Sequence, residues 1–202
     1  MKLYYAPHAC SLAPHIVLRE SGRTFELVRV NNKTKQTAEG EDFLAINPKG
    51  YVAALQLDDG QVLTEGPVIL QYLADLNPEA GLAPASGTFE RVRLNEWLSF
   101  INSEVHAGMN PLFNPALTGD TRTLFENKLI KRLDYLNNAL DMQDYLLGDP
   151  FSVADAYLFT VLGWLPGFAI DRSRWPALER FFHRIELRPA VKAALAAEAS
   201  PA

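Results

Sequence analysis

The only cysteine of the 202-residue chain, Cys10, lies in the turn between a predicted strand and a predicted helix. Aromatic and aliphatic residues predict the strand at residues 2–6, and Pro7 ends it. Ser11 is a typical N-cap residue, and Pro14 falls in the first helical turn, where a missing N–H costs no hydrogen bond. The unpaired N–H groups at a helix start favour an anion such as a thiolate. The pattern indicates a reactive thiol or, alternatively, a small apolar side chain in a strand–helix turn.

Composition narrows the class of protein. The net charge of −5 argues against nucleic-acid binding, and one cysteine excludes an intrachain disulfide framework and fits a reducing compartment. The longest apolar run, residues 156–170, contains Gly and Pro and is shorter than the roughly 20 residues that a bilayer requires. No signal-type segment is recognisable, and the scattered histidines have no metal-ligand spacing. We therefore expect a cytoplasmic protein without nucleic-acid, membrane or metal partners.

Residues 1–77 alternate between strand and helix patterns. A second strand is predicted at 25–30, followed by a polar loop over 31–40 and a short helical turn at 43–46. Two alternating runs flank Asp58-Asp59-Gly60, which is a strong hairpin signal. Pro67 stands early in the next predicted helix. The order βαβ, ββα predicts a small mixed sheet with helices packed on it.

Residues 78–87 have the composition of a linker, and strand patterns stop beyond it. Ser152-Val153-Ala154-Asp155 matches the S/T-x-x-D/E motif of a helix start, in which side chains satisfy N-terminal N–H groups. Apolar residues at helical spacing or early prolines predict helices at 94–105, 125–140, 153–164, 176–185 and 189–198. Residues 88–202 are therefore predicted to form an all-α domain.

These motifs together carry a family resemblance. An α/β half that ends in Thr64-Glu65-Gly66-Pro67, joined to an all-α half with Ser152–Asp155, resembles cytosolic glutathione transferases. Cys10-Ser11 after Tyr5-Ala6-Pro7, with His106 in the first long helix of the second half, is similar to the bacterial Beta class. The resemblance implies a thioredoxin-like glutathione-binding domain over 1–77, a linker over 78–87, and a helical domain over 88–202 that forms a hydrophobic substrate site. It also implies a homodimer.

The resemblance implies a glutathione site in the first domain. The Glu65 carboxylate would pair with the α-ammonium, and backbone N–H groups at Glu65-Gly66 would take the γ-glutamyl carboxylate. Lys35 would meet the glycyl carboxylate, and the backbone of Tyr51-Val52 would pair with the cysteinyl unit. Many relatives have serine at the position of Gly66. The alternatives are a helix-start charge for Glu65 and a solvated surface lysine for Lys35.

Ala53 is the strongest departure from the family pattern, because relatives nearly always have a cis-proline directly after this valine. The sequence leaves open whether the Val52–Ala53 bond is cis or trans, and what this does to glutathione affinity.

On the first long helix of the second domain, the resemblance assigns Ser99, Ser103 and Glu104 to the cleft and to glutathione bound by a partner subunit. Spacing places Ser99, Ser103 and His106 on one helical face. The resemblance sets His106 beside the thiol, where it could donate a hydrogen bond or accept a proton. The alternatives are a solvated stripe for the serines and a surface or core position for His106.

Cys10 can form a mixed disulfide with glutathione. The resemblance therefore implies glutathione-dependent thiol–disulfide chemistry, with conjugation of apolar electrophiles as a second activity. Turnover would need a second glutathione because no Cys-x-x-Cys partner is present. Ser11 is the candidate hydroxyl if conjugation dominates.

Two other functions remain open. One is a non-catalytic module that binds glutathione, another ligand or a protein partner, and the other is a reductive dehalogenase-type transferase acting on an apolar electrophile. The sequence does not define the second substrate. The candidate lining of its site consists of Met109, Pro111, Leu112, Phe113 and Trp164, which could equally be core residues.

Overall fold

The computed structural model describes residues 1–199, and the chain divides into two compact units. The N-terminal unit comprises Met1–Ala83 together with the segment that begins at Leu187, and the helical unit comprises Pro84–Glu186. The boundary between Ala83 and Pro84 falls inside the predicted linker at 78–87.

A five-stranded mixed sheet forms the centre of the N-terminal unit. Its strands are β1 (Lys2–Tyr5), β2 (Glu26–Asn31), β3 (Gln36–Thr37), β4 (Ala54–Gln56) and β5 (Val62–Thr64). They lie in the order β3-β2-β1-β4-β5, with β1 and β2 parallel and all other pairs antiparallel. The predicted hairpin is confirmed as β4–β5. The polar stretch predicted as a loop at 31–40 contains the two-residue edge strand β3.

Helices pack against this sheet. They are α1 (Leu12–Glu20), α2 (Phe43–Ile46) and α3 (Gly66–Asp75). Phe43 from α2 packs in an apolar cluster with Tyr4, Val28, Val30 and Val52. Both α1 and α3 have fully buried apolar residues, and the two helices pack against each other. The chain before α1 is therefore fixed by packed elements on both sides.

The last helix, α9 (Pro189–Ala199), belongs to the N-terminal unit, which differs from its predicted place in the helical domain. It packs on α1. Arg188, just before α9, makes two bonds of 2.6 and 2.9 Å to Glu20. The buried His15 Nδ1 lies 2.9 Å from Glu198 Oε1. Helical spacing predicts α9 correctly. Its packing on α1 could not be predicted, because the Arg188–Glu20 and His15–Glu198 contacts join residues 168 and 183 positions apart and no local pattern indicates them.

The helical unit contains α4 (Phe89–Phe100), a π-helical segment (Ile101–His106), α5 (Ala107–Met109), α6 (Gly119–Ala139), α7 (Val153–Leu162) and α8 (Pro176–Glu186). Every residue of α7 is buried, so this helix is the centre of the unit. Its predicted start is confirmed, because Ser152 and Asp155 form a reciprocal capping box. Within the described chain, each helix is too short or too polar to cross a lipid bilayer.

Candidate functional site

Cys10 occupies the turn between β1 and α1, as predicted, and its side chain is partly buried. Its thiol donates a hydrogen bond to the Val52 carbonyl, with the sulfur 3.2 Å from the oxygen. Val52 lies just before β4, 42 positions further along the chain. The thiol is therefore aimed at the backbone segment on which glutathione is predicted to pair.

Burial raises the pKa of the Cys10 thiol to about 11. Three backbone N–H groups act in the opposite direction, those of Cys10 and Ser11 at the start of α1 and that of Ala53 just before β4. Burial outweighs them, and the Glu65 carboxylate raises the pKa further. In the ligand-free chain, Cys10 is therefore a protonated thiol at neutral pH.

This protonation state predicts the pH dependence of Cys10 alkylation. Since the thiolate is the nucleophile, the alkylation rate of the ligand-free protein should rise about tenfold per pH unit from about pH 7 to pH 10. Iodoacetamide labelling followed by mass spectrometry measures this rate, with free glutathione as the reference thiol. A plateau below pH 9 would contradict a pKa of about 11.

Ser11 is fully buried, and both bonds of its hydroxyl go to one residue. Its Oγ accepts from the Ala6 N–H at 3.2 Å and donates to the Ala6 carbonyl at 3.3 Å. Ser11 does stand at the N-cap position of α1, but within residues 1–199 its side chain makes no capping bond. The hydroxyl instead closes the turn that carries Cys10. This geometry favours a structural part for Ser11 over its predicted part as a reactive hydroxyl.

The Val52–Ala53 peptide bond is cis, which answers the question of its isomer that the sequence left open. Tyr51 is exposed, and its carbonyl accepts a hydrogen bond of 2.8 Å from Asn47 Nδ2. A Cβ placed on Gly50 would lie 3.7 Å from Cε of Lys35, so the lysine stem runs beside this backbone. The Lys35 side chain thus lies beside Gly50, which directly precedes the Tyr51-Val52 backbone on which glutathione is predicted to pair.

Glu65 directly precedes α3 and has a positive φ of 71°. Among the described residues, its side chain makes no capping bond, but its position at the start of α3 fits both predicted roles, a ligand anion and a helix-start charge. Its carboxylate pairs with Lys49 Nζ, which also donates to Thr64 Oγ1 at 3.0 Å. Lys49 was missed in the sequence, although it directly precedes Gly50-Tyr51. In the ligand-free chain, Lys49 therefore forms an ion pair with the carboxylate that is predicted to bind the α-ammonium group of glutathione.

His106 lies at the end of the π-helical segment and is half-buried. Its Nδ1 is 2.6 Å from the Tyr157 hydroxyl, and that hydroxyl donates to Asn102 Oδ1 at 2.9 Å. Trp164 packs edge-on against the ring, with centroids 4.9 Å apart. Burial lowers the pKa of His106, so the ring is neutral at pH 7 and can act as a base. The sequence did not indicate Tyr157 or Asn102 as partners.

The other predicted polar residues of this helix are exposed to solvent or paired with an arginine. Ser99 and Ser103 are exposed, and Ser103 Oγ donates to the Ser99 carbonyl at 2.9 Å. The Glu104 carboxylate is held by Arg132 at 2.6 and 2.9 Å. Regular α-helical spacing predicts Ser99, Ser103 and His106 on one face. The π-helical turn intervenes, and His106 packs against aromatic rings while both serines stay exposed.

The predicted apolar lining divides into two groups. Met109 and Leu112 are buried in the helical unit and are core residues, in contrast to their predicted place in a ligand site. Phe113 is 55% exposed and packs edge-on against Trp164 and Phe168, with centroids 5.6 and 4.8 Å apart. Phe113 and Trp164 therefore remain candidates for contact with an apolar ligand.

Comparison with known families decides the class of protein. The family model of the glutathione S-transferase N-terminal domain matches residues 9–76, and that of the C-terminal domain matches residues 100–189. The chain belongs to the glutathione S-transferase family.

Similar proteins cover the whole chain. Glutathione S-transferase GstA of Escherichia coli O157:H7 is 44% identical over 98% of both chains. The structure of a sphingomonad glutathione S-transferase complexed with glutathione is 48% identical, covers 100% of both chains and has a TM-score of 0.96. The Beta-class glutathione S-transferase of Sphingomonas chungbukensis is 47% identical over 98% of this chain and 99% of that one, with a TM-score of 0.95. The resemblance to the Beta class is confirmed.

In this transferase, the N-terminal unit brings several predicted residues to one backbone segment. Cys10 bonds to Val52, Lys35 runs beside Gly50, and the Glu65 charge acts on the Cys10 thiol. The helical unit holds His106 and the Phe113–Trp164 pair separately. Each unit of the transferase thus carries its own group of candidate residues.

Proposed function

We propose that this protein is a Beta-type glutathione transferase in which Cys10 carries glutathione-dependent thiol–disulfide exchange. The observation that carries the proposal is the 3.2 Å hydrogen bond from the Cys10 thiol to the Val52 carbonyl. A cysteinyl unit that pairs with the Val52 backbone would bring its own sulfur close to that of Cys10.

The N-terminal unit supplies groups that match each part of glutathione. Glu65 is an anion for the α-ammonium, and Lys35 is a cation for the glycyl carboxylate. The first turn of α3, from Gly66, offers backbone N–H groups for the γ-glutamyl carboxylate. The α-ammonium would displace Lys49 from Glu65, which exchanges one charge-assisted bond for another. The sphingomonad relative, whose structure is a complex with glutathione, supports glutathione as the ligand.

The exchange proceeds in two balanced steps. The Cys10 sulfur attacks the glutathionyl sulfur of a mixed disulfide, which breaks the substrate S–S bond and forms a Cys10–glutathione disulfide. The proton lost by Cys10 goes to the departing thiolate. A second glutathione, as thiolate, then attacks the glutathionyl sulfur, which breaks the Cys10–glutathione bond and releases oxidised glutathione. The Cys10 thiolate that leaves takes up the proton that the second glutathione lost, which restores the thiol.

The first step needs a base, because the ligand-free Cys10 thiol has a pKa of about 11. The family resemblance implies a base in turnover at His106, and burial lowers the pKa of this ring, so that it is neutral at pH 7. Cys10 and His106 belong to different units, so a double-mutant cycle on turnover tests whether they act in the same step.

The protonated state of Cys10 favours a second activity, which is conjugation. A thiol that remains protonated can donate its hydrogen bond to a bound glutathione thiolate instead of to Val52. The thiolate then attacks an apolar electrophile, for which Phe113 and Trp164 offer contact surface. Conjugation therefore requires a hydrogen-bond donor at position 10, whereas thiol–disulfide exchange requires the sulfur atom of Cys10.

The glutathione site is tested by Glu65→Gln, which removes the anion and keeps the side-chain size. The lost charge-assisted hydrogen bond is worth about 1.5–3 kcal/mol, and the exposed Lys49–Glu65 pair that the free chain also loses offsets up to about 1 kcal/mol, so glutathione binding should weaken by about tenfold. Isothermal titration with a non-reactive S-alkyl glutathione measures the affinity, and Glu39→Gln is a matched control at an exposed glutamate.

Equal affinity in the Glu65 variant and the wild type would contradict the proposed site. Retention on immobilised glutathione without turnover of a disulfide or an electrophile would instead favour the non-catalytic binding function.

The remaining parts of the proposal concern assembly and location. We propose a homodimer, as the family resemblance implies, with Ser99, Ser103 and Glu104 at its contact. Cytoplasmic location is supported by the single cysteine in 202 residues. Sedimentation at micromolar concentration tests the assembly.

A further inference from the structure

We propose that Tyr157 and Asn102 are positioning residues that set the tautomer of His106, so that Nε2 is the ring atom that accepts a proton. The inference rests on the proposed function, because it refines the role given there to His106. All three side chains lie in the helical unit, with Asn102 and His106 on the π-helical segment and Tyr157 on α7.

The direction of the two hydrogen bonds determines the tautomer. The Tyr157 phenol has one proton, and it donates this proton to Asn102 Oδ1 at 2.9 Å. Its oxygen can then only accept from His106, whose Nδ1 lies 2.6 Å away. Nδ1 of the neutral ring therefore carries the hydrogen, and Nε2 keeps its lone pair.

The surroundings of the ring keep it in this orientation. Tyr157 and Trp164 both pack edge-on against the imidazole, with centroids 5.8 and 4.9 Å from it. Asn102 and His106 are four positions apart on the same π-helical segment. The π-helical turn that carries both residues is a type of distortion found frequently at functional sites. Its effect here is that one phenol contacts both side chains.

The oxygen of Asn102 is the part of this chain that decides between the two tautomers. If position 102 offered no acceptor, the phenol would turn and donate to Nδ1 of His106. The ring hydrogen would then move to Nε2, and that atom could no longer accept a proton. Asn102 is exposed, so it can be replaced without opening a cavity.

The test compares Asn102→Leu, which removes the acceptor, with Asn102→Asp, which keeps acceptor oxygens. Asn127→Leu on α6 is a matched control at another exposed asparagine. NMR correlation spectra of protein with ¹⁵N-labelled histidine distinguish Nδ1–H from Nε2–H, and His106→Ala assigns the signal among the 4 histidines. We expect Nδ1–H in the wild type, Asn102→Asp and Asn127→Leu, and Nε2–H in Asn102→Leu. An Nε2–H signal in the wild type, or an unchanged tautomer in Asn102→Leu, would overturn the proposal.

Turnover separates positioning from a merely structural contact. General-base catalysis contributes about 10²–10⁴-fold, so we expect kcat of Asn102→Leu to fall about tenfold or more, with KM for glutathione unchanged and recovery in Asn102→Asp. If His106→Ala lowers kcat but Asn102→Leu does not, the positioning role is wrong while the proposed function stands. If His106→Ala has wild-type kcat, the base assigned under the proposed function is wrong, and the positioning role fails with it.

Discussion

Cys10→Ala is expected to lower glutathione-dependent reduction of a small mixed disulfide by about 100-fold or more, because it removes the sulfur that forms the covalent intermediate. The Cys10 side chain is partly buried in a turn and contacts the Val52 carbonyl, so the smaller alanine should leave the fold intact. Steady-state assays of disulfide reduction and of conjugation, with circular dichroism as a check on folding, measure the effect.

Cys10→Ser is the matched variant that separates the two activities. Serine keeps a hydrogen-bond donor but cannot form a disulfide, so reduction should be lost while conjugation is retained. If Cys10→Ala and the wild type reduce the disulfide at the same rate, another group carries the chemistry and the exchange mechanism is wrong. If Cys10→Ser loses both activities, a hydrogen-bond donor at position 10 is not sufficient for conjugation, and the proposed separation of the two activities is wrong.

Asp155→Ala should cause a large loss of stability in the helical unit. The Asp155 carboxylate is fully buried and accepts from the Leu146 N–H at 2.8 Å and from the Ser152 N–H and hydroxyl at 2.8 and 2.7 Å. Burial raises the pKa of Asp155 to about 6, which leaves it ionised at pH 7. Loss of this acceptor would orphan buried donors, so we expect a cost of about 3–4 kcal/mol in the free energy of unfolding.

Ser152→Ala provides a graded control for this effect, since it removes one capping hydroxyl and should cost about 1 kcal/mol. Urea denaturation at pH 7, followed by circular dichroism, compares the unfolding midpoints of both variants with that of the wild type. A wild-type midpoint for Asp155→Ala, or equal losses in both variants, would show that the carboxylate does not hold the start of α7.

Local patterns predicted most of the elements. Asp58-Asp59-Gly60 between alternating runs led directly to the β4–β5 hairpin, and Ser152–Asp155 led to the capping box of α7. In these cases the signal lies within a few residues of the structure that it produces. The edge strand β3 was missed because it has two residues and lies in a polar stretch.

Contacts between distant parts of the chain were not predictable in the same way. The α1–α9 packing and the Tyr157–Asn102 bond join residues that are more than 50 positions apart. No local pattern predicts the Cys10–Val52 hydrogen bond. Only the family resemblance indicated that both residues belong to one site. Residue type alone was misleading at Ser11. Serine before a helix predicted a side-chain cap on α1, whereas the Ser11 hydroxyl bonds to Ala6 and closes the preceding turn.

Intact-protein mass spectrometry during turnover tests the central claim most directly, since Cys10 is the only cysteine in the sequence. Protein quenched with acid while it reduces a glutathionyl disulfide should carry the mass of one glutathionyl group. That adduct should disappear when excess glutathione is added before the quench, and it should be absent from Cys10→Ala. Turnover with no adduct at any time, or with an adduct that glutathione does not release, would contradict Cys10 as the centre of exchange.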